Sequence, residues 1–256
     1  MKNFKEYLGE FIGTFLLVFI GCGAVGLSIF STIITSLLQV AIVFGAGVSI
    51  AIFSVRKVCP AHLNPAVSIA MFYSKKLSGS KLPLYLLSQV LGALLGGLIL
   101  YVAFAEAISV YEETNHIVRG SEASVSTAMM FGEYFPNPGY ADTISTSHLL
   151  ACFMEGIGTF TLVFVIFLLT NKSGQVHRNL IPVLIGLTVT ILICFIAPYT
   201  QGGFNPARDF SPRIVAYLAG WKSVAFPAIN YSFFTVYILS PIIGGIAASY
   251  LNRKLR

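Results

Sequence analysis

The chain has little charge. Only 10% of its 256 residues are Asp, Glu, Lys or Arg, against roughly 25% in a typical soluble domain. Residues 11–55 contain none. That excludes an ordinary water-soluble fold. Histidine and cysteine are scarce too, four of each. Cys22, Cys152 and Cys194 lie within apolar stretches and Cys59 lies just before a proline. No spacing among them suggests a disulfide framework or a zinc site. No nucleotide-binding motif is present to drive active transport, and no cofactor is implied. An enzyme is disfavoured, because no nucleophile–base pair or metal cluster falls within the apolar runs.

What is abundant is apolar sequence. The hydrophobic fraction is 56% and the mean hydropathy is +0.81. Further uncharged runs cover residues 82–105, 156–171, 179–207 and 223–252. A bilayer core takes about 20 apolar residues per helix, so the first run holds two spans and each later one about one. The expected spans are about 7–30, 37–54, 82–105, one opening at Glu155, 180–197 and 231–251. The fold class is an all-α polytopic membrane protein. The start, basic then apolar, has the look of a signal peptide. Cleavage would discard Glu10, which has a counterpart in the second half, so this stretch reads as the first span.

The net charge of +6 does not point to nucleic acid. Lys2, Lys5, Arg56, Lys57, Lys75, Lys76, Lys81, Lys172, Arg178, Arg253, Lys254 and Arg256 fall at one set of span ends. With six spans and both termini in the cytoplasm, all of them are cytoplasmic, as basic flanks of spans usually are. Arg119, Arg208, Arg213 and Lys222 remain for the outer side.

Two triplets organise the chain: Asn64-Pro65-Ala66 and Asn205-Pro206-Ala207. Asn is a favoured helix N-cap, and Pro suits the first helical position because its missing N–H has no partner to lose. Each triplet therefore opens a short helix with a partial positive charge at its start. The surroundings repeat as well. Glu155-Gly156-Ile157-Gly158-Thr159-Phe160 matches Glu10-Phe11-Ile12-Gly13-Thr14-Phe15 except at the second position, and Ser240 to Gly244 echoes Ser88 to Gly92. The repeat unit is three spans plus one half-helix. An odd number of crossings makes the two copies inverted.

Inversion brings the half-helices in from opposite faces, so that Asn64 and Asn205 meet near the midplane. Non-helical backbone at that depth must be buried in protein or line a cavity. The preceding segments, with Pro60, Ala61 and His62 in one half and Gly203 and Phe204 in the other, offer a file of carbonyl acceptors. The Asn amides add donors, and two converging dipole ends repel cations and protons. This is a channel for small neutral solutes. Glu10 and Glu155 are expected to accept hydrogen bonds from the two loops. The chain reads as a single channel domain, 1–256, with repeats of about 1–106 and 148–251. The outer loop joining them, 107–147, together with Glu106 just before it, holds most of the acidic residues, and no residue in it is assigned a role.

These residues resemble the major intrinsic protein family, the aquaporins and glycerol facilitators, over nearly the whole chain. The carriers are His62-Leu63-Asn64-Pro65-Ala66-Val67 and Phe204-Asn205-Pro206-Ala207-Arg208-Asp209. Asp209 after Arg208, and the loop stretch His116-Ile117-Val118-Arg119-Gly120, resemble the glycerol-facilitator branch. The resemblance implies six helices and two half-helices, a homotetramer with one pore per subunit, and glycerol and water as permeants. By position it places a selectivity filter at Phe44, Ile193, Gly202 and Arg208, with Asp209 supporting loop packing. Glycerol facilitators usually have two filter aromatics. Here Gly202 stands where the second would be, either as a selectivity device or as a turn glycine. Pro60 replaces a usual Gly. A bulkier neutral solute, such as a protonated short hydroxy acid, is the alternative permeant, and a mainly structural membrane protein is the alternative class. Cys59, beside the first loop, is expected to let a thiol reagent obstruct the inner vestibule.

Overall fold

Inside a bilayer every backbone N–H and C=O must be satisfied within the protein, and a helix does this within one segment. Each apolar run accordingly forms one. The computed structural model describes residues 2–171, 176–227 and 232–255. Lys172, Tyr231 and Arg256 lie outside them. The elements are α1 (Lys2–Phe30), α2 (Leu37–Val55), α3 (Pro65–Tyr73), α4 (Leu82–Thr114), α5 (Val125–Ala128), α6 (His148–Leu169), α7 (Ile181–Thr200), α8 (Pro206–Ala216), α9 (Ser232–Phe234) and α10 (Ser240–Lys254). Six helical stretches among the described residues are long and apolar enough to cross a membrane, and no strand occurs among them. α3 and α8 are the short helices opened by the Asn-Pro-Ala triplets.

Local signals set several ends. Ser36 caps α2, taking the Gln39 N–H on its hydroxyl while the Gln39 side chain takes the Ser36 N–H; this reciprocal pair satisfies two orphan donors. Ser147 caps α6 in the simpler way. α4 runs nine residues past the expected end at Ala105, to Thr114. Charge ends a membrane span but not a helix: Glu112 in the extension pairs with Arg119 at 2.8 Å and accepts from Thr127. The last span is broken into α9, a π turn (Thr235–Leu239) and α10. Pro241, near the start of α10, has no N–H to donate, and the widened turn precedes it.

The inverted repeat is visible in the packing. α1 lies against α4, and α6 against α10. A Cβ at Gly92 would collide with Phe11 O, and a Cβ at Gly244 with Gly156 O. Phe11 and Gly156 are matching positions of the two repeats, as are Gly92 and Gly244. The two helix pairs therefore approach at the same place for the same reason: small residues let the backbones close. α2 and α7 cross between the halves, where Gly45 faces the Gly186 carbonyl and Gly186 faces that of Gly45. This crossing pairs one repeat with the other, and each half-helix packs on the last span of the opposite repeat, α3 on α10 and α8 on α4.

Candidate functional site: a conduit between two half-helices

Each half-helix is capped as its triplet dictates. Asn64 Oδ1 accepts from Ala66 N at 2.8 Å and Val67 N at 3.4 Å. Asn205 Oδ1 accepts from Ala207 N at 3.1 Å and Arg208 N at 3.3 Å. Pro65 and Pro206 take the first helical position. Capping fixes which way each amide points, since a flipped Asn would set its NH₂ against helix donors. The Nδ2 groups then reach across: Asn64 donates to Phe204 O at 2.8 Å and Asn205 donates to Leu63 O at 2.9 Å. One hydrogen of each NH₂ is spent on this tie and one remains.

The loops leading to the Asn residues are held by the repeated glutamates. Glu10, fully buried on α1, accepts from His62 N at 2.8 Å and Leu63 N at 2.7 Å. Glu155, fully buried on α6, accepts from Gly203 N at 3.0 Å and Phe204 N at 2.8 Å. Gln89 adds a donor to the first carboxylate and Thr200 one to the second. With their N–H groups turned to the glutamates, the loops adopt left-handed backbone at Ala61, Leu63, Gln201, Gly202 and Phe204. For non-glycine residues that conformation costs roughly 1–3 kcal/mol each and persists only where the surroundings enforce it. The carbonyls of Pro60, Ala61, His62 and Gly203 accept no hydrogen bond from the described residues. The His62 ring is a brace, with Nδ1 3.2 Å from Ser68 Oγ and the ring beside Tyr85.

A cavity of about 1240 Å³ runs past both triplets. Pro60 to Asn64, Gly202 to Asn205, Phe44 and Arg208 line it, and α7 contributes Ile185 and Val189. Ile193, a turn further along α7, is buried at 3% exposure and is not part of the lining. Neither are Ala66, Pro65, Pro206 and Ala207, which sit behind the Asn side chains as the first turns of α3 and α8. No carboxylate lines the cavity among the described residues.

Arg208 closes one end. Its guanidinium is 5.4 Å from the centroid of the Phe44 ring, and Nη2 pairs with Glu133 Oε1 at 2.6 Å. Both side chains are almost fully buried, at 1% and 2%. Nε and Nη1 of Arg208 have no partner among the described residues, leaving donors for a molecule in the cavity. Glu133 comes from the loop between α5 and α6 and is held from behind. Asp209 Oδ1 accepts its N–H at 2.8 Å, and Arg213 Nη2 donates to its carbonyl. Asp209 in turn pairs with Arg213 at 2.8 Å. Burial pushes the Glu133 carboxyl up to about 8, against the pull of Arg208.

Sequence reasoning had no role for Glu133 or Arg213. The signal available was the i,i+4 spacing of Asp209 and Arg213 on one helix face, but nothing in the loop marked Glu133 as its third member. Gly202 lines the cavity, and its φ of +78° is one that glycine adopts without strain. Cys59 differs from expectation. Its thiol packs where Gly9 of α1 leaves room, 6% exposed, and does not line the cavity.

Six spanning helices enclosing two half-helices, with a cavity between them, define a transmembrane pore protein of inverted-repeat build. The chain belongs to the major intrinsic protein family, whose model matches residues 1–252. It is similar to the glycerol uptake facilitator protein of Pseudomonas aeruginosa, 37% identical over 243 residues, which cover 94% of this chain and 85% of that one. The glycerol uptake facilitator protein of Escherichia coli K12 is 36% identical over 252 residues, covering 98% and 87%. Among solved structures, the aquaglyceroporin from Plasmodium falciparum superposes with a TM-score of 0.85 at 26% identity, covering 99% of this chain and 96% of that one.

Proposed function

We propose that this protein is a passive channel for glycerol and similar small neutral solutes, passing water and excluding ions and protons. One observation carries the reading. The cavity offers a file of unpartnered carbonyls on two loops, then spare Asn64 and Asn205 amide donors, then the free Nε and Nη1 donors of Arg208. A polyol hydroxyl both donates and accepts, so it can exchange each water partner for one of these in turn. Apolar walls from Phe44, Val48, Val189 and Leu162 suit the carbon side of the same molecule. The names of the relatives agree with this permeant and do not favour a hydroxy acid.

The finer assignments follow. Phe44, Ile193, Gly202 and Arg208 form the selectivity filter, Ile193 through its packing behind the lining. Pro60, Ala61, His62, Gly203 and Phe204 supply pore carbonyls, Phe204 while shared with Asn64. Glu10, Glu155 and Asp209 are supports, and no step of the function is catalytic. The chain is a single channel domain of two repeats, about 1–106 and 148–251. It works as a homotetramer in lipid, in a bacterial plasma membrane, with both termini cytoplasmic. Support for that orientation is the concentration of basic residues at one set of span ends.

Stopped-flow light scattering of proteoliposomes tests the function. Glycerol entry is expected far above that of protein-free vesicles. Folded tetramer giving no glycerol flux above the empty-vesicle rate rejects it, and faster entry of a protonated hydroxy acid than of glycerol restores the alternative.

A further inference from the structure

The end of the cavity opposite Arg208 is not apolar. It is lined by Arg56 and Lys57 after α2, Lys76 after α3, and Arg178 with Asn179 before α7. No acidic residue stands among them in the described part of the chain. The nearby Glu6 is ion-paired with Lys81 at 2.8 Å, and Glu10 is committed to the His62–Leu63 backbone.

The usual preference for basic residues at one membrane face accounts for the sign of these charges. It does not account for their convergence on the lumen. Lys75, Arg253 and Lys254 carry the same sign and stay out of the lining, the last two lying over the rings of Tyr73 and Tyr250. Two of the mouth cations are also held in place. Arg56 donates from Nη1 to Arg178 O at 3.0 Å and from Nη2 to Asn179 Oδ1 at 2.8 Å, with its guanidinium 4.5 Å from the Phe53 ring centroid. Lys76 sits 4.7 Å from the Phe167 ring centroid. Groups already fixed lose little freedom when a ligand arrives.

Like charges around a funnel with low-dielectric walls focus their field into its opening and concentrate counter-anions there. The effect grows with the charge of the anion, and guanidinium and ammonium donors suit phosphoryl oxygens. We propose that this basic mouth is a binding site for a phosphate monoester dianion, and that its occupant obstructs the conduit. A neutral polyol crosses the site without competing for it. Its phosphorylated derivative fits both parts of the cavity, with hydroxyls towards the loop carbonyls and phosphate on the cations. The site therefore lets the free alcohol through and retains the ester. A monoester headgroup of the bilayer, as in phosphatidic acid, presents the same chemistry from a second source.

Titration calorimetry of the full chain in detergent, with inorganic phosphate, glycerol phosphate and glycerol at constant ionic strength, reads binding independently of conduction. Saturable binding of both phosphates is expected, weakened about tenfold for each cation removed. Arg56→Gln also releases Arg178 and Asn179, so Lys57→Gln with Lys76→Gln, two exposed ammoniums, keeps the test open if that variant fails to fold. Flux then identifies the source. In phosphatidylcholine vesicles loaded with glycerol phosphate, glycerol entry slows severalfold relative to the same protein loaded with chloride, and less so in the double variant. Slowing that instead requires phosphatidic acid in the bilayer assigns the site to the lipid headgroup. Absence of phosphate binding, equal slowing by chloride, or binding unchanged in the double variant overturns the proposal.

Discussion

At the scale of single residues, Arg208 and Glu133 set the chemistry of the cavity end beside Phe44. Arg208 was legible in the sequence because it follows the second Asn-Pro-Ala. Glu133 was not, since a carboxylate in a polar loop reads as solvated, and only the Asp209–Arg213 pair fixing its backbone from behind brings it inside. Neutralising it leaves Oε1 a weaker acceptor for Nη2 and takes away the charge paired with the guanidinium, so polyol hydroxyls bind longer and leave more slowly. The groups facing this carboxyl are Arg208, Arg213, Asp209 and Glu155, and burial outweighs the two cations, holding it at about 8. Protonated below that value and ionised above it, Glu133 should raise the glycerol-to-water flux ratio as pH climbs from about 6 to about 9. Glu133→Gln should hold the low ratio throughout, about tenfold below the parent at the alkaline end, the worth of one charge-assisted hydrogen bond. Swelling rates at both pH values check this, and a pH-dependent ratio in the variant defeats it. Gly202 is simpler. With φ at +78°, Gly202→Ala is expected to cost about 1 kcal/mol, read as a lower thermal midpoint without loss of solute discrimination.

Among elements, the half-helices were the most legible. Asn as cap and Pro at the first position specify a helix start independently of tertiary context, and α3 and α8 begin where those rules place them. Ends set by packing were less so: α4 runs on to a Glu112 that pairs with Arg119 and Thr127, partners beyond the end of the helix itself. The buried glutamates belong to this scale, each fastening one loop by two N–H groups. Glu155→Ala strips Gly203 and Phe204 of their acceptor at roughly 1–3 kcal/mol per orphaned N–H. Glu10→Ala does the same to His62 and Leu63. The two variants should lose comparable stability in thermal unfolding, and conduction should fall in both. Conduction lost in one and normal in the other would falsify the equivalence of the two loops.

For the molecule as a whole, the six spans and their inversion could be read from hydropathy and from the repeated Glu-to-Phe hexamers. The crossing of α2 with α7 could not, because a glycine in an apolar run looks the same whether it meets lipid or a backbone. The assembled pore directs two half-helix N-termini and one guanidinium at its lumen, and its midpoint presents amide donors to the solute. A hydrated cation or a proton relay needs acceptors there. Reconstituted bilayers should therefore carry no proton or cation current above background, and a current removed by pore block would refute this. The reciprocal Asn64–Phe204 and Asn205–Leu63 ties have one more consequence. Each repeat completes the other's centre, so neither half is a working unit, and a substitution in one is felt as a misplaced carbonyl in the other. The halves cannot drift apart independently. A change that unsettles one tie therefore reaches both loops at once.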